Sequence, residues 1–132
     1  MTLQPNFLPV GSVVEYHLMN HNRWTPIRLN ATDILNLETD SKHFNTFHRP
    51  IKLTPEILTE WCNMKLERKQ LSLNIGGELM DYATDGKMCI YYSKKGWTLD
   101  SIVNKDTVYF QYLHELQLLF LGMKQVLPIT IK

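Results

Sequence analysis

Residues 53–58 read Leu-Thr-Pro-Glu-Ile-Leu, and they carry the clearest signal of local structure in the chain. Thr54 is a favoured helix N-cap, and Pro55 suits the first helical turn because its missing N–H needs no partner there. Glu56 places a negative charge at the positive end of the helix dipole. The stretch therefore predicts a helix that begins at residue 55 and ends near Leu66.

The residues before this helix are typical of a small β unit. Strands are expected at residues 12–19 and 24–29, which are rich in β-branched and aromatic side chains, with a turn between them at residues 20–23. Pro26 has no N–H to donate to a neighbouring strand. It therefore predicts that the second strand lies at an edge or carries a bulge.

Two segments connect this β unit to the helix. Residues 30–40 fit either a short helix capped by Thr32 or Asp33, or a third strand. Residues 44–50 predict an aromatic-bearing connector. Its backbone is expected to be extended at Arg49, because a proline follows and its ring disfavours the helical conformation there.

Downstream of the helix, the pattern of apolar and turn residues predicts an antiparallel meander. Its strands are expected at residues 71–75, 78–83, 87–92 and 97–103. The first turn is expected at Gly76-Gly77. A last helix is expected to begin near Tyr109 or Gln111 and to end at Gly122. Its apolar stripe consists of Leu113, Leu116, Leu119, Phe120 and Met123.

Together these elements predict an α+β fold in a single domain, because 132 residues leave no room for two cores of ordinary size. An N-terminal β unit, of which an SH3-like unit is one form, is expected over residues 1–50. One helix, the antiparallel β meander and a C-terminal helix packed on the sheet are expected over residues 51–132.

Charge and composition narrow the range of partners. The chain has 14 Lys and Arg against 13 Asp and Glu, so its charge does not indicate nucleic-acid binding. Cys62 and Cys89 stand among apolar residues without metal-type spacing, which is typical of buried free thiols. The first ten residues lack a signal-peptide pattern, and the apolar residues 116–123 are too few to cross a bilayer. We therefore expect a cytoplasmic protein with no membrane partner and no cofactor.

Three segments resemble a known protein family. Residues 48–58 (HRPIKLTPEIL) resemble its "yKPIPLTEExL" motif, residues 112–117 (YLHELQ) its "YVHQLQ" helix, and residues 11–16 (GSVVEY) its "GNxVxY" strand. The family consists of small uncharacterised proteins of phages, prophages and mobile elements of gut bacteria. The resemblance implies a phage or mobile-element accessory protein in the cytoplasm of a host cell. The chain departs from the family at Lys52, which replaces a proline, and at residues 118–124 (LLFLGMK), where a Leu-Thr-Gly ending is missing.

Two groups of residues are candidate binding residues. His114 and Gln117 lie three apart on the last predicted helix, so they share a face on which they would hold one ligand. The alternative is that His114 bonds a backbone carbonyl and fixes the helix on its sheet. The second group is a hairpin of interleaved aromatic and basic side chains, Tyr92, Lys94, Lys95 and Trp97. Such a surface would stack bases and pair phosphates, unless one aromatic residue is buried and the lysines are solvated.

Three functions follow from these observations, and all three are binding functions because no nucleophile motif, phosphate loop or zinc spacing is present in the sequence. The first is a non-enzymatic phage or mobile-element accessory protein that binds and modulates a host protein. It would be favoured by one exposed patch formed from Trp24, Phe44, Phe47 or Tyr92. The second is a small-ligand or nucleotide-binding module, for example a sequestering protein, with a pocket near His114, Gln117 and residues 94–97. The third is nucleic-acid binding, which needs one face formed by Arg23, Arg28, Lys94 and Lys95.

Overall fold

The computed structural model describes residues 2–4, 8–70, 79–93, 95–99 and 105–132. Within it the chain divides into two units. The first consists of Met1–Lys52 and Tyr112–Leu127, and the second of Leu53–Gln111 and Pro128–Lys132. Antiparallel sheets and helices together confirm the predicted α+β class.

The first unit contains a three-stranded antiparallel sheet. Its strands are β1 (Val13–Leu18), β2 (Arg23–Arg28) and β3 (His48–Arg49), in the order β2-β1-β3. The two predicted strands are confirmed, and Pro26 lies in the edge strand β2, opposite Glu15. An SH3-like unit is not confirmed, because the described residues form a small sheet that is accompanied by helices.

Two consecutive helices, α1 (Ala31–Thr39) and α2 (Ser41–Phe47), connect β2 to β3. For residues 30–40 the helix is the correct alternative, but its cap is Asn30. The Asn30 side chain accepts a hydrogen bond from the Asp33 N–H, and the Asp33 carboxylate accepts one from the Asn30 N–H. This capping box satisfies two N–H groups that a helix start leaves without partners.

The prediction of a connector at residues 44–50 was wrong as far as Phe47. The Asp40 carboxylate accepts a hydrogen bond from the His43 N–H at 3.2 Å, and this cap begins α2. The chain becomes extended only at His48, so the expected extended backbone at Arg49 is confirmed.

One hydrophobic core cluster in this unit lies between the sheet and the helix pair. It contains Leu3, Leu8, Val14, Leu29, Leu37 and Phe44, with Ile27 and Ile34 packed against it. Strands β1 and β2 and helices α1 and α2 each place at least one side chain in this cluster or against it, whereas the short β3 contributes none. Burial of this apolar surface stabilises the arrangement of sheet and helices.

The C-terminal helix α3 (Leu113–Gly122) also belongs to the first unit, where it contacts β1. It ends at Gly122, as predicted. Its buried side chains include Leu113, Leu116 and Phe120 of the predicted stripe, together with His114 and Gln117. At the start of α3 the Leu113 N–H donates to the Ile51 carbonyl at 2.9 Å, which ties the helix to the segment after β3.

The second unit begins with residues 53–58, the Leu-Thr-Pro-Glu-Ile-Leu segment. Thr54 is confirmed as a cap, because its hydroxyl accepts a hydrogen bond from the Ile57 N–H at 3.2 Å. The helical segment is shorter than predicted and ends as a π-helix over Ile57–Trp61. The Cys62 N–H donates to the Ile57 carbonyl five residues earlier, and the wider turn ends the helix.

A four-stranded antiparallel meander follows. Its strands are β4 (Lys65–Gln70), β5 (Leu79–Thr84), β6 (Cys89–Ser93) and β7 (Gly96–Thr98), in sequential order. Residues 65–66, expected as the helix end, instead begin β4, because they pair with Thr84 and Ala83. The strand predicted at residues 71–75, the Gly76-Gly77 turn and the end of the last predicted strand lie outside the described residues.

Among the described residues, no helix combines the length and the apolar character needed to cross a bilayer.

Candidate functional site

A cleft of about 610 Å³ lies in the first unit, bordered by α1, α2 and residues of the strands β1, β2 and β3. Its apolar and aromatic lining consists of Tyr16, Ile27, Phe44 and Phe47. Its polar lining consists of Asp33, Asn36, Thr39, Asp40, His43 and His48. This combination of an aromatic wall with a few polar groups is typical of a small-molecule site.

The local sequence explains why these side chains converge. Asp33 and Asn36 lie three residues apart on α1, and His43 and Phe47 lie four apart on α2, so each pair shares a helix face. The His43 and Phe47 rings meet edge to face at 5.2 Å. On the sheet, Tyr16 follows the core residue Val14 by two positions and so shares its face.

Two aromatic side chains of the lining, Phe44 and His48, form a stacked pair. The rings of Phe44 and His48 are parallel within 2°, with centroids 3.7 Å apart. The His48 Nδ1 lies 2.8 Å from the Phe44 carbonyl oxygen. A carbonyl only accepts hydrogen bonds, so Nδ1 carries the proton in the neutral ring and Nε2 is an acceptor. Tyr16 contacts the same imidazole, with a centroid distance of 5.1 Å.

His48 is neutral at pH 7. Partial burial lowers the pKa of His48 below its ordinary value, and the bond to Phe44 and the nearby Asp33 carboxylate only partly oppose this effect. The described lining residues include the carboxylates of Asp33 and Asp40 but no lysine or arginine that would neutralise them. The cleft is therefore rich in hydrogen-bond acceptors and negative in charge.

No family model, curated protein or solved structure matches this chain. The resemblance to phage and mobile-element proteins stays a prediction.

The Gln117 side chain is hydrogen-bonded to the backbone of its own unit. Its side-chain oxygen accepts a hydrogen bond from the Val13 N–H at 2.8 Å, and its amide nitrogen donates to the Gly11 carbonyl at 3.0 Å. Only 9% of the residue is exposed. The amide group thus fixes α3 to the start of β1, which is a structural role that three-residue spacing does not reveal.

His114 lies on the same buried face, and only 2% of it is exposed. Its ring packs on Tyr112, with centroids 5.9 Å apart. The expected bond to a backbone carbonyl is absent at Nδ1, which has no hydrogen-bond partner among the described residues. Burial lowers the pKa of His114, and the Glu115 carboxylate opposes this only in part.

We expect His114→Leu to keep or raise the free energy of unfolding by about 1 kcal/mol at pH 7, because it removes a buried polar atom without a partner. Unfolded histidine titrates near pH 6.5, and a lowered folded pKa means that the unfolded chain binds more protons below that pH. The wild type therefore loses stability as pH falls from about 6.5 to the folded pKa, and the variant loses less. Urea unfolding at pH 7 and pH 5 measures both effects.

The matched control is His21→Leu, which removes an exposed imidazole. It should leave the pH dependence unchanged. An equal loss of stability between pH 7 and pH 5 in wild type and His114→Leu would contradict the assignment of acid sensitivity to the buried ring. His48, whose pKa is also lowered, accounts for the part that the variant retains.

The hairpin candidates lie in the second unit, apart from Lys94, which lies outside the described residues. Trp97 is buried, and its indole N–H donates to the Leu53 carbonyl at 3.3 Å. Tyr92 is exposed and packs on the edge of that indole, with centroids 4.9 Å apart. Lys95 lies over the Tyr109 ring at 5.9 Å. Of the adjacent Tyr91 and Tyr92, the first is buried and the second is exposed, which is the structural alternative that the sequence left open.

The cysteines and possible metal ligands add no second site in the described part of the chain. Both cysteines are free thiols, and Cys62 is buried while Cys89 is half-buried. Burial raises the pKa of Cys62 to about 11, so its thiol is unreactive at neutral pH. Across the described residues, no group of three His, Cys, Asp or Glu side chains is placed to hold a metal ion.

Sequence reasoning missed the polar residues of the cleft, although a local signal was present. Asn30 and Asp33 follow the capping-box pattern, and Asp40 stands three residues before His43 as a second cap. Two caps ten residues apart predict two short helices, and therefore a helix pair on which Asn36 and His43 lie. What the pattern does not give is their approach to Tyr16.

Proposed function

We propose that this protein binds a small molecule in the cleft of its first unit. The observation that carries the proposal is the cleft itself, whose volume of about 610 Å³ and mixed aromatic and polar lining suit a compact ligand. Ligand sites typically occupy about 300–1,000 Å³ and combine apolar walls with a few polar groups.

The preformed geometry of the aromatic wall supports this proposal. Phe44 is buried and belongs to the core cluster, so the ring that carries His48 is held by packing. The hydrogen bond from His48 Nδ1 to the Phe44 carbonyl fixes the imidazole plane. A side chain that is already ordered loses little conformational entropy when a ligand binds, which favours affinity.

The other two predicted functions have less support from the described residues. Of the aromatic side chains expected in one exposed patch, Phe44 is buried and the Trp24 ring lies under the Arg49 guanidinium at 4.1 Å. Arg23 and Arg28 lie five residues apart in β2, so strand alternation places them on opposite faces. Binding to a host protein and binding to nucleic acid stay predictions.

The proposal is tested by titrating the ¹⁵N-labelled protein with three compact probes, phenol, indole and benzylamine. We expect at least one probe to shift the amide resonances of His43, Phe47 and His48 at lower probe concentrations than it shifts other resonances. Asn36→Trp places an indole in the cleft and should weaken that probe at least about 10-fold, which corresponds to about 1.4 kcal/mol.

The control is Glu38→Trp, which adds the same side chain to an exposed position of the same helix outside the cleft lining. It should bind the probe as the wild type does. Shifts scattered over the chain, or equal affinity in Asn36→Trp and wild type, would show that the cleft is not a binding site.

A further inference from the structure

Resting on the proposed function, we propose that the ligand of the cleft is a small organic cation, with an amine or amidine group attached to a ring or another apolar body. Polar groups that line the cleft can accept hydrogen bonds, and aromatic rings can attract a positive charge to their faces. Each of these two properties is carried by separate residues.

The first set of acceptors is the pair of carboxylates. Asp33 accepts the Asn30 N–H at 2.8 Å and Asp40 accepts the His43 N–H at 3.2 Å. An ionised carboxylate offers about four acceptor positions on its two oxygens, so one bond to a helix cap leaves capacity for a ligand. Because both carboxylates also line the cleft, a donor group there would meet two negative charges.

The third acceptor follows from the bond that His48 makes. Its Nδ1 faces the Phe44 carbonyl oxygen at 2.8 Å, so Nδ1 is the donor of the neutral ring. Nε2 then carries a lone pair and accepts a hydrogen bond. A ligand N–H group can donate to a neutral imidazole nitrogen or to a carboxylate, whereas a ligand carboxylate or phosphate oxygen without a proton can donate to neither.

The aromatic lining favours the same charge. A cation over an aromatic face is attracted by the ring quadrupole, and Tyr16 and Phe47 line the cleft on its strand and helix sides. The ion pair between Arg49 and Glu15, at 3.1 Å, involves neither of the two lining carboxylates. An anionic ligand would instead lie beside two carboxylates, and this repulsion disfavours a nucleotide in the cleft.

Three probes of one shape separate charge from size in an NMR titration at pH 7: benzylamine is a cation, benzyl alcohol is neutral and benzoate is an anion. We expect benzylamine to bind at least about 10-fold tighter than benzyl alcohol, and benzoate not to bind. The double variant Asp33→Asn with Asp40→Asn keeps both cap oxygens but removes both charges. It should weaken benzylamine at least about 10-fold and leave benzyl alcohol unchanged.

Glu38→Gln is the matched control, because it removes one negative charge from an exposed position of α1 that does not line the cleft. It should bind benzylamine as the wild type does. Equal affinity for benzylamine and benzyl alcohol, or tighter binding of benzoate, would overturn the cation inference while the binding site stands. If none of the three binds, the cation inference is wrong, and the titrations with phenol and indole decide separately whether the cleft is a binding site.

Discussion

Replacing Leu37 with alanine is expected to lower the free energy of unfolding by about 2–5 kcal/mol, the usual cost of truncating a fully buried leucine. Leu37 has no exposed surface and lies on α1 within the cluster that joins the sheet to the helix pair. The loss combines the transfer energy of the removed carbons with the cavity left among Val14, Leu29 and Phe44. Urea unfolding followed by circular dichroism measures it.

Leu35→Ala is a sharp control, because it makes the same truncation two residues away on the same helix. Leu35 is 56% exposed, so this variant should change the free energy of unfolding by less than about 0.5 kcal/mol. The pair also tests the helix itself. In a strand, which the sequence allowed for residues 30–40, residues two apart share a face and the two variants would behave alike.

Equal losses in the two variants would therefore contradict the helical structure of α1, and equally small losses would also contradict the burial of Leu37. Since Asp33, Asn36 and Thr39 line the cleft from this helix, that outcome would also remove the cleft. A large loss in Leu37→Ala alone supports the scaffold on which the proposed ligand site depends.

The parts of the fold that the sequence predicted are those with strong local signals. The run of β-branched residues predicted β1, Thr54 was predicted as a helix cap, and Gly122 was predicted as the end of α3. Helix α2 was missed because its aromatic residues suggested a connector and the cap at Asp40 was not weighed. Strand β4 was missed because its start depends on pairing with β5, which is a non-local contact.

The candidate site was less predictable than the fold, for a physical reason. Its lining comes from two helices and three strands, and no motif spans them. His114 and Gln117 were candidates because they share a helix face, yet the same spacing describes two polar side chains on a buried face. Sequence spacing places two residues on one helix face but does not reveal whether that face meets solvent or another element.

The second large effect is expected from Gln117→Leu, which should lower the free energy of unfolding by about 2–4 kcal/mol. The substitution removes the partners of two backbone groups, the N–H of the fully buried Val13 and the carbonyl of Gly11. Strand β3 pairs with β1 only at Glu15 and Tyr16, so it does not reach Val13. Loss of the partner of the buried Val13 N–H costs about 1–3 kcal/mol, and the part-buried Gly11 carbonyl adds a smaller cost because water can reach it.

Gln117→Glu separates the two bonds, because a carboxylate can accept the Val13 N–H but cannot donate to the Gly11 carbonyl. Its loss should be largest at neutral pH and smaller at acid pH, where protonation restores a donor. Gln125→Leu, at an exposed position after α3, should have little effect. Faster hydrogen exchange at the Val13 amide in Gln117→Leu locates the damage. Unchanged stability and unchanged exchange at the Val13 amide in Gln117→Leu would contradict the structural role of Gln117.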